Sequence, residues 1–279
     1  MKKVAKFLGI FTAMVVCLLV FIQCTLLVFV KPSNDREWSE DLAVLAYAEF
    51  DGDSVTVKNI RNFKYESVLD YTADYYDRTF DMNGINSVEY VVEPFSGVAA
   101  HTFVAFGFED GSYVDISVEV RREKGEFYNI FKGIARRFEL VYVIADERDV
   151  LKLRTNHRKD NVYLYPVKTS KEKMRAMFVD MLLRANELRH KPEFYHTLAN
   201  NCTTNIVEHV NKISPNKVPF SYKYFLPKYS DELAFDVGLI TGEDTIEQMR
   251  ERYNVTAIAQ KYGEDPDFSR KIREDLLVK

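Results

Sequence analysis

The sequence predicts an α+β domain held behind one N-terminal apolar helix. Three observations carry this reading. Phe7 to Val30 is almost wholly apolar, with Gly9, Thr12, Gln23 and Thr25 as the mild exceptions. The middle of the chain is a series of short runs that alternate or are wholly apolar, separated by turn residues, as strands are. Two stretches at helical spacing follow, and strands succeeded by helices read as α+β.

A run of roughly 20 apolar residues spans a bilayer. Phe7–Val30 is longer than the core of a signal peptide, and no small-x-small cleavage site follows it. Lys2, Lys3 and Lys6 precede the run; Asp35, Glu37, Glu40 and Asp41 follow it, opposed by Lys31 and Arg36. Positive charge stays on the cytoplasmic side, so everything after Lys31 is expected outside. Cys24 is not in a lipoprotein cleavage box, because Phe21-Ile22-Gln23 lacks small residues. Cys17 and Cys24 therefore read as ordinary residues of the membrane helix. The expected organisation is a cytoplasmic N-terminus and anchor over 1–31, an extracytoplasmic α+β domain over 32–245, and a charged helical tail over 246–279. The chain would be single-pass in a cytoplasmic membrane.

The elements follow in order. Leu42–Phe50 and Ser54–Asn59 read as short strands around the turn Asp51-Gly52-Asp53, and Lys64–Thr79 is aromatic and ambiguous. Ser87–Val92 alternates. His101 to Phe108 is an apolar strand, Glu109-Asp110-Gly111 a hairpin turn, and Ser112 to Val120 alternates strictly. Phe138–Ala145 and Asn161–Val167 are further strands. Lys171–Leu188 is a helix with Met174, Met177, Phe178, Met181 and Leu182 on one face. Pro192–Leu198 leads into a second helix marked by Ile206, Val207, Val210 and Ile213, and the tail from Glu243 is charged and helical, with one proline, Pro266.

Composition narrows the function. An apolar content of 47% is ample for a core. Beyond the anchor lie all 42 acidic residues but not all of the 38 basic ones, since Lys2, Lys3, Lys6 and Lys31 belong to its flanks; this mild acidity argues against nucleic acid. No Gly-rich phosphate loop and no His-Glu-x-x-His spacing occurs, so neither a cofactor nor a metal is expected.

Cys202 is the one cysteine outside the first 30 residues. Outside the cytoplasm cysteines are usually paired, and this one has no partner there. It follows Asn200-Asn201, either of which is a good N-cap, so it falls in the first turn of the second helix. The helix dipole favours an anion at that place, and a thiolate is the reactive form of cysteine. A lone thiol here is either a small core residue or a nucleophile. A nucleophile needs a base in reach and often a third group to orient the base. His209 lies seven residues on, about 10 Å up the axis, and cannot touch the thiol. His157 and His190 sit in strongly charged stretches, and His196 lies in the approach to the Cys helix. His101 opens the apolar strand that the helix would cover. A three-residue turn at Glu109–Gly111 pairs Phe108 with Ser112 and His101 with Glu119; a two-residue turn makes the partner Val120. Glu119 or Ser117 is then the candidate orienting group, and a one-residue slip would turn either away. Glu119 reads equally as a solvated residue or an ion-pair partner of Arg121 or Arg122. Asn201 is a candidate oxyanion donor beside the backbone N–H groups of the Cys202 turn. Arg121 and Arg122 suit a lipid phosphate, or a surface pair with Glu119, Glu123 or Glu126.

A histidine on a strand followed by a cysteine at an Asn-introduced helix start resembles the circularly permuted papain-like folds, the lecithin retinol acyltransferase group among them. The stretches Ala100–Phe106, Ser117–Glu126, Glu139–Val143, Asp146–Asp149, Asn200–Asn205 and Tyr229–Ala234 resemble the Lnb N-terminal periplasmic domain family, over roughly Asn34 to Asp244. That resemblance implies an antiparallel sheet packed on a Cys-bearing helix, and a bacterial N-acyltransferase moving a fatty acyl group from phospholipid to the amine of a lipoprotein. Cys202 and His101 are the matching positions. The membrane spans that follow the domain in Lnb are missing here. The implied partners are the membrane, a phospholipid and a lipoprotein or peptide. Two other readings stay open: a cysteine amidase or peptidase acting on cell-wall peptides, and a non-catalytic envelope protein with a structural Cys202.

Overall fold

The computed structural model describes residues 2–240, 242 and 245–278, without the side chains of residues 2, 3, 5, 23, 24 and 26–29. The side chain of Cys24 and the residues Glu243 and Asp244, named above, lie outside that description. The strands are β1 (Tyr47–Asp51), β2 (Ser54–Arg61), β3 (Lys64–Tyr65), β4 (Tyr71–Thr72), β5 (Tyr75–Asp81), β6 (Ile85–Ser96), β7 (Ala99–Phe108), β8 (Tyr113–Arg121), β9 (Glu139–Asp146) and β10 (Tyr163–Pro166). The helices are α1 (Lys2–Phe29), α2 (Glu40–Ala43), α3 (Ile130–Ile134), α4 (Glu147–Lys152), α5 (Lys171–His190), α6 (Cys202–Ile213), α7 (Ser230–Asp236), α8 (Ile246–Tyr253), α9 (Thr256–Lys261) and α10 (Phe268–Val278). The main sheet runs β1-β2-β9-β8-β7-β6-β10, with β5 also on β2. It is antiparallel except where β2 meets β9 at Arg61 and Ala145.

Strand alternation sends side chains to two cores. Ala100, Val104 and Phe106 of β7, with Val114, Ile116 and Val118 of β8, pack under α5, α6 and α7. Phe103 and Ala105, with Val141 and Val143 of β9, pack under α4, α9 and α10 on the other face. Both faces are covered, which explains why β7 reads as a continuous apolar run. Of the segment 246–279, expected as a charged tail, the described residues 246–278 fold onto the sheet: Met249, Ile258, Phe268, Ile272 and Leu276 are buried. Leu42, expected in a strand, is instead the buried residue of α2.

α4 and the π-helical turn Leu153–Arg158 that follows it escape the hydrophobic pattern. Asp146 caps α4 by accepting the Arg148 N–H. The buried Asp149 accepts from Arg61 Nε and Nη2, from the Phe63 N–H and from Tyr65 Oη. The segment Asp146–Asp149 therefore docks a helix onto β2 and the β3–β4 ribbon.

α1 covers the N-terminal apolar run, and its described apolar side chains are exposed, Phe7 at 71% and Phe21 at 69%. Among the described residues, no helix is long and apolar enough to cross a membrane.

Candidate active site

α6 begins with a reciprocal cap. Asn201 Oδ1 accepts the Thr204 N–H at 2.9 Å, and Thr204 Oγ1 accepts the Asn201 N–H at 2.8 Å. Cys202 is thus the first helical residue, buried at 5% exposure. The N–H groups of Cys202 and Thr203 belong to the first turn, which has no intrahelical acceptors, and they have none among the described residues.

β7 and β8 are joined by a three-residue turn, with the Phe108 N–H on Ser112 O and the Gly111 N–H on Phe108 O. The register pairs Phe103 with Ser117, and continued it would set His101 opposite Glu119. Pairing stops there. The first residues of β7 stay with β6 (His101 opposite Glu93), whereas the end of β8 stays with β9 (Glu119 opposite Val141). A cavity of about 480 Å³ lies at this parting. Residues from both faces wall it: Ala100, Val118 and Cys202 from one, Glu93, His101 and Glu119 from the other.

His101 Nε2 lies 2.7 Å from Ser117 Oγ, and that hydroxyl donates to Glu119 Oε1 at 2.9 Å. Since the hydroxyl proton goes to the carboxylate, Nε2 must carry the ring proton. Nδ1 is then the acceptor. Arg154 binds Glu93 through Nε at 2.7 Å and Glu119 through Nη2 at 3.2 Å, and Arg158 adds a bond to Glu93 at 3.3 Å. Burial and then the Arg154 guanidinium push His101 down to about 4, against the pull of Glu119 and Glu93. The ring is therefore neutral near pH 7. Burial raises Glu119, but Arg154, His101 and Arg61 outweigh it and hold the carboxyl well below its ordinary range.

The thiol and the imidazole approach the cavity from opposite faces. Cys202 packs in the core with Ala100, Val104 and Val118, while the His101 ring lies on the Phe103 side at 5.9 Å between centroids. Sγ lies 4.0 Å from Thr203 Oγ1. Thr102 and Thr203, each the next residue in sequence, bring their hydroxyls to 3.3 Å and tie β7 to α6 beside the cavity.

A model of the Lnb N-terminal periplasmic domain matches residues 71–228. The chain belongs to the Lnb N-terminal periplasmic domain family. Such a domain works outside the cytoplasm. No curated protein and no solved structure matches the chain. The matched span holds His101, Glu119, Arg121, Arg122, Asn201 and Cys202.

Within this Lnb domain the other expected residues are already engaged. Asn201 uses its side-chain oxygen on the cap and its Nδ2 on Thr197 O, so the amide is not aimed at an oxyanion. Arg121 is buried, with its guanidinium on Leu42 O, Ala43 O and Asn34 Oδ1 and stacked 4.2 Å from the Trp38 ring. It clamps the N-terminal segment and, at 2% exposure and outside the cavity wall, is not presented to a phosphate. Arg122 lines the cavity but pairs with Asp41 at 2.7 Å. Glu119 pairs with Arg154 and not with Arg121 or Arg122. His196 Nδ1 accepts from the N–H groups of Leu198 and Ala199.

Two polar clusters escaped the sequence. The first is the Glu93–Arg154–Arg158 group, hidden because Arg154 opens a charged stretch that reads as surface. The second holds α6 in place. His209 Nδ1 meets Asp180 at 2.5 Å, His209 Nε2 meets Tyr142 Oη at 2.7 Å, and Tyr142 donates to Asn205 Oδ1 at 3.2 Å. A histidine on the buried face of α6, seven residues after Cys202, was the available signal. Among the described residues no group of three or more His, Cys, Asp or Glu is placed to hold a metal ion.

Proposed function

We propose that this chain is a thiol acyltransferase of the cell envelope, tethered to the membrane by α1 and built on a permuted papain-like plan. The observation that carries the reading is that Cys202, at the capped start of α6, and the His101–Ser117–Glu119 chain wall one cavity. Neutral His101 takes the thiol proton on Nδ1, and Glu119 and Ser117 stabilise the resulting imidazolium through Nε2. The two side chains line the same cavity from opposite faces, and the proton transfer requires them to close on each other through the parting between β7 and β8 when substrate binds. Sγ attacks the ester carbonyl of a phospholipid, and the free N–H groups of Cys202 and Thr203 face the developing oxyanion. His101 returns its proton to the leaving alkoxide, which departs as a lysophospholipid. An amine then attacks the thioester, loses a proton to His101 and leaves as an amide while Sγ is released. A lipoprotein N-terminus or a peptide amine fits this step.

The cavity rim supports an acyl substrate. Phe95, Val98, Ile130, Leu198 and Leu226 stand around a floor of Glu93, Arg154 and His101, which suits an amphipathic ester better than a polar peptide. The test is the intact mass of the chain purified with lipid. One fatty acyl increment on Cys202, removed by hydroxylamine and missing in His101→Ala, is expected. Absence of the increment over a range of phospholipids, with release of free acid or cleaved peptide instead, would replace the transferase by a hydrolase. Equal, slow iodoacetamide labelling of Cys202 in the wild type and His101→Ala would remove the dyad altogether.

A further inference from the structure

Large apolar side chains next to the residues that line the cavity are exposed. Phe127 is 76% exposed, Phe131 77% and Phe220 83%. Phe127 and Phe131, the latter in α3, alternate with Tyr128 and Ile130 of the cavity wall, and the Phe220 ring lies 5.8 Å from that of Phe225, which with Leu226 also lines the cavity. The β6–β7 turn adds Phe95 and Val98, each about half exposed. Exposed large apolar side chains gathered about one cavity mark an interaction surface.

Two further observations name the partner. Positive charge borders the aromatic residues: Lys124, Arg136, Arg137 and Lys228 are exposed and have no acidic partner among the described residues. Aromatic side chains beside unpaired Lys and Arg match the interface of an anionic membrane. The second observation is where α1 joins the domain. Arg36 pairs with Glu123, the Lys124 N–H bonds Glu37 O, and the Ser39 N–H bonds Arg122 O. The linker after α1 is thus pinned to the residues just before Phe127, and the anchor and the patch share one side of the molecule.

We infer that Phe127, Phe131 and Phe220 seat this side of the domain on the surface of an anionic bilayer, so that the Cys202 cavity opens directly onto lipid. The inference rests on α1 being an anchor, as proposed above, but not on any acyl transfer. The full chain is reconstituted into phosphatidylcholine vesicles with a minority of phosphatidylglycerol, their acyl chains brominated. Tryptophan is placed by Phe131→Trp, by Phe220→Trp and, as a control, by Phe50→Trp on β1. Phe50 pairs with Val55 beside Phe80, toward the end of the sheet that carries the β7–β8 turn and away from the cavity. The signal is read as the difference from the wild type, whose one tryptophan is Trp38.

Residues 131 and 220 should lose about half or more of their emission to bromine and be shielded from acrylamide in the water, while residue 50 shows the reverse. Quenching at 131 and 220 that equals the control overturns the inference. So does shielding from acrylamide without bromine quenching, which would mean a protein partner on the patch, and so does a chain that fails to float with the vesicles. A missing Cys202 thioester would sink the proposed chemistry and leave these readings unchanged.

Discussion

Arg273 decides whether the last 34 residues are a tail or part of the domain. It reaches from α10 to two buried carboxylates: Nε to Glu89 at 3.0 Å, Nη1 to Glu147 at 2.9 Å and Nη2 to Glu147 at 2.7 Å. Its guanidinium also lies 3.5 Å from the centroid of Tyr113. Glu147 is 1% and Glu89 6% exposed, so neither finds water when the cation is removed. Breaking a buried pair by removing one partner costs roughly 3–5 kcal/mol, because the other charge is left uncompensated. Arg273→Met keeps most of the apolar stem, and its expected cost is about 4 kcal/mol. For a domain of this size each kcal/mol moves Tm by about 2–4 °C, so a fall of roughly 8–16 °C is expected. Urea unfolding of the full chain in mild detergent, followed by circular dichroism, gives the first number, and a thermal scan the second. Adding Glu147→Gln should return about 1 kcal/mol or more, since it removes one stranded charge. A loss below about 1 kcal/mol, or a double variant no better than the single, would show that α10 does not hold the sheet.

Three other outcomes are expected. Asp115 is fully buried with both carboxyl oxygens unpartnered among the described residues, and burial followed by Glu147 raises its pKa well above 3.8. The folded state therefore binds the proton more tightly, stability is lost as pH rises above the ordinary value, and Asp115→Asn should stabilise the domain at pH 7 with a gain that disappears in acid unfolding curves near pH 4. His101 is pushed from 6.5 to about 4, so its share of stability is present above 6.5 and lost as pH falls toward 4; His101→Gln should flatten that part of the stability–pH curve, worth about 3 kcal/mol. Tyr142→Phe strands His209 Nε2 and Asn205 Oδ1 in the core and should cost about 1–3 kcal/mol in urea unfolding, with faster alkylation of Cys202 as α6 loosens.

The strands were legible where one force sets the pattern. The β7–β8 hairpin follows the three-residue turn because Gly111 supplies the positive φ of 80° that the turn requires. The start of α6 was legible because a cap is a local hydrogen bond, and Asn201 makes it with Thr204. What the sequence hid is polar and buried. Arg154 opens a stretch that reads as solvated and His209 carries no sign of its partner in the chain, and only the fold shows their carboxylate partners, 29 to 61 residues away. The docking of Asp149 on Arg61, across 88 residues, is hidden for the same reason. The parting of β7 from β8 could not be read either, since alternation in each strand continues past the last paired residues.

That parting has a physical cause. Two strands in register would go on pairing unless other contacts pulled them aside. β8 ends in Arg121, whose guanidinium is held by Leu42 O, Ala43 O and Asn34 Oδ1 and faces Trp38. These residues belong to the segment that follows α1, so the linker draws the end of β8 toward itself. β7 is kept by β6, where His101 lies opposite Glu93. Arg154 then bridges the gap, with Glu93 of β6 on one side and Glu119 of β8 on the other. The opening is thus propped by one arginine and held wide by another, and the second is anchored in the N-terminal linker. Ser117 and Glu119, which hold His101, thus lie on the strand whose end is fixed to the linker through Arg121.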